Sequence, residues 1–258
     1  MFESFVGAQS NGMLMWMSQS AWPSTVWQTY DYYLDQTAGY YGCKKALEPL
    51  HILWDSQLDK VKVANNTRQG YKNLIAEVLI YNMEKITIYN IDGSVAAEKS
   101  HEVNTAACSV NKISDIKWPS NLTPVHFIKL ELKDGNKIIA DNFYWRGNKY
   151  QEYSDLSNML PADLQYSLYR EKSGGKVFLT VDIKNAGKNI ALMTRLKVLR
   201  DRSKERVLPV YYSDNYFSLL PGETKQVILE FNAKDLQGEN PVLGIEGWNI
   251  DYMEIVEF

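Results

Sequence analysis

One run limits the folds open to this chain: Val177, Leu179, Val181 and Ile183 alternate with Phe178, Thr180, Asp182 and Lys184. Only an extended backbone turns every second side chain to the same side, so the run reads as a β-strand with one apolar and one polar face. Leu192 to Leu199, Arg206 to Tyr212, Gln226 to Phe231 and Val242 to Ile245 supply further strands, separated by clusters of Gly, Pro, Asn and Asp. Short strands punctuated at regular intervals predict an immunoglobulin-like β-sandwich over residues 148–258.

The preceding stretch has the same texture. Val61 and Val63, Leu74 to Tyr81, and Ile86 to Ile91 read as strands, the last running into Asp92-Gly93. Phe127 to Lys133 runs into Asp134-Gly135, and Ile138 to Trp145 follows. Asp-Gly between strand-like runs signals a hairpin, because both residues tolerate positive φ. Residues 51–147 therefore predict a first antiparallel sandwich, with the polar segment 148–161 as a linker.

The first 50 residues differ. Met1, Phe2 and Phe5 have helical spacing with no capping residue ahead of them, which reads as a helix cut in the middle. Gly12-Met-Leu-Met-Trp16 is a short apolar run suited to a parallel strand buried on both faces. Trp22-Pro23 marks a loop, since proline moves the residue before it out of helical geometry. Tyr40 to Leu50 supports a helix stopped by Pro49. One βα unit thus precedes the sandwiches, with tyrosines clustered at 30, 32, 33, 40 and 41.

Composition narrows the function classes. The formal charge is -3 with a pI near 5.7, and acids and bases are interspersed, which gives no footprint for nucleic acid. Cys43 and Cys108 are the only cysteines and read as free thiols. Without CxxC or HExxH spacing around His51, His101 or His126, no metal site is expected, and no cofactor is required. No apolar run approaches the roughly 20 residues that span a bilayer, and no basic leader opens the sequence, so a membrane is not an expected partner. Asn65-Asn66-Thr67 and Asn121-Leu122-Thr123 match glycosylation sequons, a pattern short enough to arise by chance.

Three stretches carry a resemblance. Gly12-Met-Leu-Met-Trp16 through Trp22-Pro23, Trp27 and Tyr30-Asp31-Tyr32-Tyr33 resembles the eighth barrel strand and following loop of glycoside hydrolase family 2, nearest to its exo-β-D-glucosaminidase and β-mannosidase branch. Tyr40 to His51 resembles the helix that closes that barrel. Ser213 to Glu223 and Gly247-Trp248-Asn249 resemble the last sandwich of the same enzymes. The resemblance implies a mainly β chain: residues 1–50 a remnant of a (β/α)8 barrel, 51–147 an immunoglobulin-like sandwich, and 148–258 a second one.

The resemblance also implies a parent enzyme that hydrolyses terminal β-linked sugars with retention, through two glutamates on barrel strands upstream of Met1. No catalytic residue is then expected in this chain; Glu3, Asp31, Asp35 and Glu48 are its only acids in the barrel-like piece. Its role would be to buttress the barrel and wall the pocket. Export to the periplasm or medium is implied for the parent only. Trp16, Gln19 and Trp22 are the substrate-binding candidates, because the C-terminal end of a barrel strand and its loop form the substrate face. For each, a structural role stands beside the functional one: Trp16 in the barrel wall, Trp22 as a loop anchor, Gln19 as a solvated side chain. Trp27, Tyr30 and Tyr32 are expected to pack the loop against neighbouring domains. Asp214-Asn215-Tyr216 reads as a turn before it reads as a substrate contact. A non-catalytic carbohydrate-binding or interaction module is the alternative; it would place its aromatics on a sandwich, whereas the densest cluster here, Trp16 to Tyr41, precedes both. A lone βα unit leaves strand edges and an apolar helix face uncovered, so self-association through residues 1–50 is expected as well.

Overall fold

A computed structural model describes residues 1–10, 12–24, 28–83, 97–120, 122–149 and 152–256, with the side chains of 97–99 left aside. The expected strand 86–91 with its Asp92-Gly93 turn, Trp27, and the sequon at Asn121 lie outside the described residues. The chain divides into two compact units, one of residues 1–15 and 42–159 and the other of residues 16–41 and 160–258.

The first unit holds helix α1 (Phe2–Gly7), the end of helix α2 (Ala38–Ala46) and seven strands. These are β1 (Leu50–Asp55), β2 (Lys60–Asn65), β3 (Tyr71–Asn82), β4 (Ala97–Thr105), β5 (Ser109–Asp115), β6 (Val125–Asp134) and β7 (Lys137–Gly147). They form antiparallel sheets β1-β2-β5 and β4-β3-β6-β7. Ile52, Val61, Val63, Leu74, Ile128 and Leu130 belong to the core; burial alternates along β3, whereas β6 is buried at eight successive residues, Val125 to Leu132. The expected Asp-Gly hairpin is present: Asp134 pairs with Lys137, and Gly135 turns the chain at φ +56. Asn65 is fully buried; its amide donates to the carbonyls of Gln69 and Ala106 at 2.8 Å each, so the sequon there serves the fold.

The second unit carries β8 (Leu164–Ser173), β9 (Lys176–Asn185), β10 (Ala191–Arg200), β11 (Tyr211–Tyr212), β12 (Phe217–Leu219), β13 (Thr224–Asn232), β14 (Pro241–Gly247) and β15 (Ile250–Ile255). The sheets are β12-β10-β14-β15 and β11-β13-β9-β8. Val177, Leu179, Val181 and Ile183 of β9 are fully buried, as their alternation required, and pack with Leu196, Val227, Phe231 and Ile245. The immunoglobulin-like, mainly β architecture read from the sequence is therefore what the chain adopts.

Three local expectations are corrected. Residues 12–16 form no strand; Leu14 is fully exposed and Trp16 is 83% exposed. A parallel strand is stable only with partners on both edges, and among the described residues the neighbourhood offers two isolated bridges, Gln19 to Tyr30 and Tyr30 to Gln36, neither reaching residues 12–16. Residues 1–50 are no separate body: the division between units cuts them after Met15 and again after Tyr41. The two units divide between Met159 and Leu160, within the expected linker 148–161; the 3-10 turn Ser154–Asn158, with Leu156 buried, lies in the first unit. The strand expected over Arg206 to Tyr212 shrinks to Tyr211–Tyr212, since Pro209 has no N–H to offer a ladder.

Helix α1 buries none of its residues and is held by a polar contact. The Glu3 carboxylate accepts from His51 Nε2 at 2.8 Å, Asn142 Nδ2 at 2.6 Å and the Tyr144 hydroxyl at 2.9 Å. Burial pulls the His51 pKa down, but the hydrogen bond to Glu3 and the nearby Glu48 carboxylate outweigh it and raise it above 6.5. His126 is driven the other way, first by burial and then by the Arg146 charge, against the Thr123 carbonyl that holds its Nδ1 at 3.1 Å. Arg146 donates to Nε2 at 3.1 Å, so the ring is neutral with its proton on Nδ1.

The signs differ accordingly. His51 gives stability that is complete below pH 6.5 and lost as pH rises through its raised pKa; His126 gives stability present above 6.5 and lost as pH falls through its lowered one. A proton NMR titration of the three histidines is expected to place the His51 midpoint above 6.5 and the His126 midpoint below it. Equal midpoints would refute both environments.

Candidate functional site

The three sequence candidates lie in the second unit, on the segment 16–41, and all face solvent: Trp16 is 83% and Trp22 68% exposed, and Gln19 is exposed. Neither tryptophan anchors a core in this chain. The segment has little regular structure before α2, so its shape comes from individual hydrogen bonds. Tyr30 N and Thr29 Oγ1 both donate to the Ser18 carbonyl, at 3.0 and 3.1 Å. The buried Ser20 hydroxyl donates to Gln28 Oε1. Thr37 closes the loop, its N–H and hydroxyl both donating to Thr29 O at 3.0 and 3.1 Å and its hydroxyl also to Gln28 O at 2.9 Å. Trp22 thus stands on an arm whose two ends are tied to residues 28–37.

Residues 31–35 make the next link. Asp31 Oδ1 accepts from Tyr33 N at 2.8 Å and Asp35 N at 3.0 Å, a tight Asx-type turn. That turn directs Asp35 at the sandwich. Its Oδ2 accepts from Arg195 Nη2 and Arg206 Nη1, each at 2.7 Å, and Arg206 Nη2 reaches Asp31 Oδ2 at 3.4 Å. Arg195, on β10, also donates to Glu246 of β14 at 3.0 Å, and Glu246 takes Lys197 at 2.7 Å. The Asp35 side chain is 12% exposed, so these bonds are little screened. Alternating charges here run from the loop onto two strands.

Aromatics complete the attachment. Tyr30 and Tyr40 approach to 5.3 Å, Tyr40 and Tyr41 to 5.1 Å, and Tyr41 and Tyr216 to 5.9 Å between ring centroids. Tyr41 is 5% exposed within the second-unit core; burial first, then Tyr212 and Asp35 beside it, push its hydroxyl far up, so it stays protonated. Tyr30 packs the loop as expected, whereas Tyr32 is 44% exposed and stacks edge-on with Tyr33 at 5.1 Å.

Asn215 is structural, as its turn chemistry suggested. It is buried, and its side chain replaces a missing strand, accepting from Leu196 N at 2.8 Å and donating to Leu196 O at 2.9 Å. Asp214 pairs with Lys225 at 2.7 Å. Asn249 likewise donates to the carbonyls of Leu160 and Ile190 at 2.8 Å each. Sequence reasoning missed Asp35, Arg195 and Arg206, whose partners lie 160 and 171 residues apart; only the Asp31-to-Asp35 turn spacing was locally visible. Among the described residues no group of three or more His, Cys, Asp or Glu could hold a metal. In the first unit, an open cleft of about 450 Å³ is lined by Lys45, Glu48, Leu50, Tyr71, Ile138 and Asp141, and its rim charges pair internally through Lys45.

Two antiparallel sandwiches, with an aromatic arm fixed to the second, define an immunoglobulin-like β-sandwich protein that presents exposed tryptophans. Residues 142–250 match the model of the Ig-fold domain of exo-β-D-glucosaminidases. Over 93% of its length the chain is 31% identical to the exo-β-D-glucosaminidase of Amycolatopsis orientalis, and over 92% it is 27% identical to the mannosylglycoprotein endo-β-mannosidase of Lilium longiflorum. Among solved structures, the exo-β-D-glucosaminidase CsxA superposes with a TM-score of 0.88 at 28% identity, covering 99% of this chain and 33% of CsxA. The chain spans 25% and 30% of those two relatives' own length. The resemblance to the glucosaminidase and mannosidase branch of family 2 holds along the chain.

Replacing Asn215 with Ala is expected to cost about 3 kcal/mol, the scale of two buried backbone groups left without partners. Urea unfolding of the second unit checks it; a loss under about 0.5 kcal/mol would show that Leu196 finds other partners.

Proposed function

We propose that this chain is the immunoglobulin-like portion, with the last barrel segment, of a retaining exo-β-glycosidase that removes terminal β-linked aminosugars. Its part is to buttress the barrel and to wall the pocket with Trp16, Gln19 and Trp22. The observation that carries this reading is an exposed pair of tryptophans, Trp16 and Trp22, the second on a segment tied by hydrogen bonds at Ser18 and Ser20. Large apolar rings are left in water where something is meant to cover them, a sugar face or the rest of a barrel. The Ig-fold match over residues 142–250 favours a glucosaminide over a mannoside.

The hydrolytic step needs two carboxyl groups about 5–5.5 Å apart across the scissile bond, one nucleophile and one acid/base. The acids of the first 50 residues are committed elsewhere: Glu3 to three donors, Asp31 to its turn, Asp35 to two guanidinium groups, and Glu48 to Lys45. That supports catalytic glutamates on other barrel strands; a carbohydrate substrate and the rest of the barrel are the partners in this proposal, which also takes the parent to be exported. A chain expressed alone would self-associate through the exposed part of residues 1–50. A carbohydrate-binding module remains the second reading, favoured by the exposed Tyr169 and Tyr211.

In the full-length enzyme, Trp22→Ala is expected to raise KM for a chromogenic β-D-glucosaminide about tenfold, the scale of one lost aromatic contact. The chain alone is expected to release no product. An unchanged KM would remove Trp22 from the pocket, and hydrolysis by the chain alone would overturn the division of labour.

A further inference from the structure

We propose that Asp35, gripped by Arg195 and Arg206, is a positioning residue for the substrate pocket: it fixes the arm bearing Trp22 to the second sandwich, so this sandwich sets substrate affinity. The inference rests on the proposed pocket role of Trp22 and adds the part of the protein that holds it in place.

Among the described residues, Trp22 itself makes none of the hydrogen bonds that fix its segment. The flanking bonds at Ser18 and Ser20 reach only residues 28–30, and Thr37 closes that loop on itself. Among the described residues the loop is tied to the sandwich by the Tyr41 ring in its core at one end, with Tyr40 packed beside it, and by the Asp35 carboxylate in the middle; Arg206 adds a longer contact to Asp31 at 3.4 Å and lies over the Tyr33 ring. Tyr41 lies within α2, and its ring alone leaves the loop before the helix free to pivot. Asp35 does not, because its two 2.7 Å bonds come from different segments and Arg195 is held in turn by Glu246. Two charge-assisted bonds to one oxygen fix both position and direction. Small displacements of a positioning group are enough to weaken a binding site.

A double-mutant cycle in the full-length enzyme tests this with Asp35→Asn, Trp22→Ala and the pair, using a chromogenic β-D-glucosaminide. Asp35→Asn keeps the shape and removes the charge. It is expected to raise KM about tenfold with kcat within about twofold, and to add less than about twofold in the Trp22→Ala background. Asp35→Glu, which keeps the charge, should recover part of the loss. Asp201→Asn, which weakens the Asn240 contact of the same sandwich, serves as the stability control and should leave KM unchanged. If Asp35→Asn does not fold, Arg206→Gln, which leaves the Arg195 bond in place, carries the same cycle.

A normal KM in Asp35→Asn, or a full effect persisting without Trp22, overturns the positioning role alone. A silent Trp22→Ala overturns the pocket reading and the inference with it. An effect matched by Asp201→Asn at equal loss of Tm reduces the contact to a merely stabilising one.

Discussion

A single carboxylate oxygen with two guanidinium donors decides where the least regular part of the chain lies. Residues 16–24 and 28–37 have only isolated bridges for a ladder, and short segments of that kind are marginal in water. Bonds within the segment give it an outline. Asp35 gives it a place, because Arg195 and Arg206 bring the charge of a packed sheet to a loop that has no sheet of its own. Such an anchor exploits low exposure: the same pair in bulk water would contribute little.

Polar anchoring is used again in the first unit. Helix α1 buries no side chain, yet Glu3 converges with His51, Asn142 and Tyr144 and Lys62 donates to the Gly7 carbonyl at 3.2 Å, so a six-residue helix is held by polar contacts at both ends. Asn65, Asn215 and Asn249 do similar work for irregular backbone, each supplying the donors or acceptors that a strand would otherwise provide. The two hydrophobic cores set the sandwiches; buried side-chain amides and carboxylates set the segments between and before them. A site built on such segments inherits its geometry from sheet residues far away in sequence.

What was legible in the sequence follows from this division. The strand β9 and the β6–β7 hairpin declared themselves through alternation and a turn residue, both local signals. Edge strands β4 and β5 did not, because a strand paired on one side carries polar residues that blur the period. The apolar run 12–16 had the composition of a buried barrel strand but no partners to pair with, so composition misled where topology ruled. The family resemblance named Trp16, Gln19 and Trp22, and they do share one fixed segment. It could not name Asp35 with its arginines, since no period or spacing links residues so far apart.

Native-state hydrogen exchange on the chain and its Asp35→Asn variant tests most directly whether that carboxylate holds the segment. The amides to follow are Tyr30 and Thr37, bonded to Ser18 and Thr29, against those of β9. The account predicts exchange at Tyr30 and Thr37 faster by on the order of 100-fold in the variant, with β9 unchanged, because only a local opening loses its barrier. Equal protection of Tyr30 and Thr37 in both proteins would contradict it, and would mean that the arm is held without Asp35.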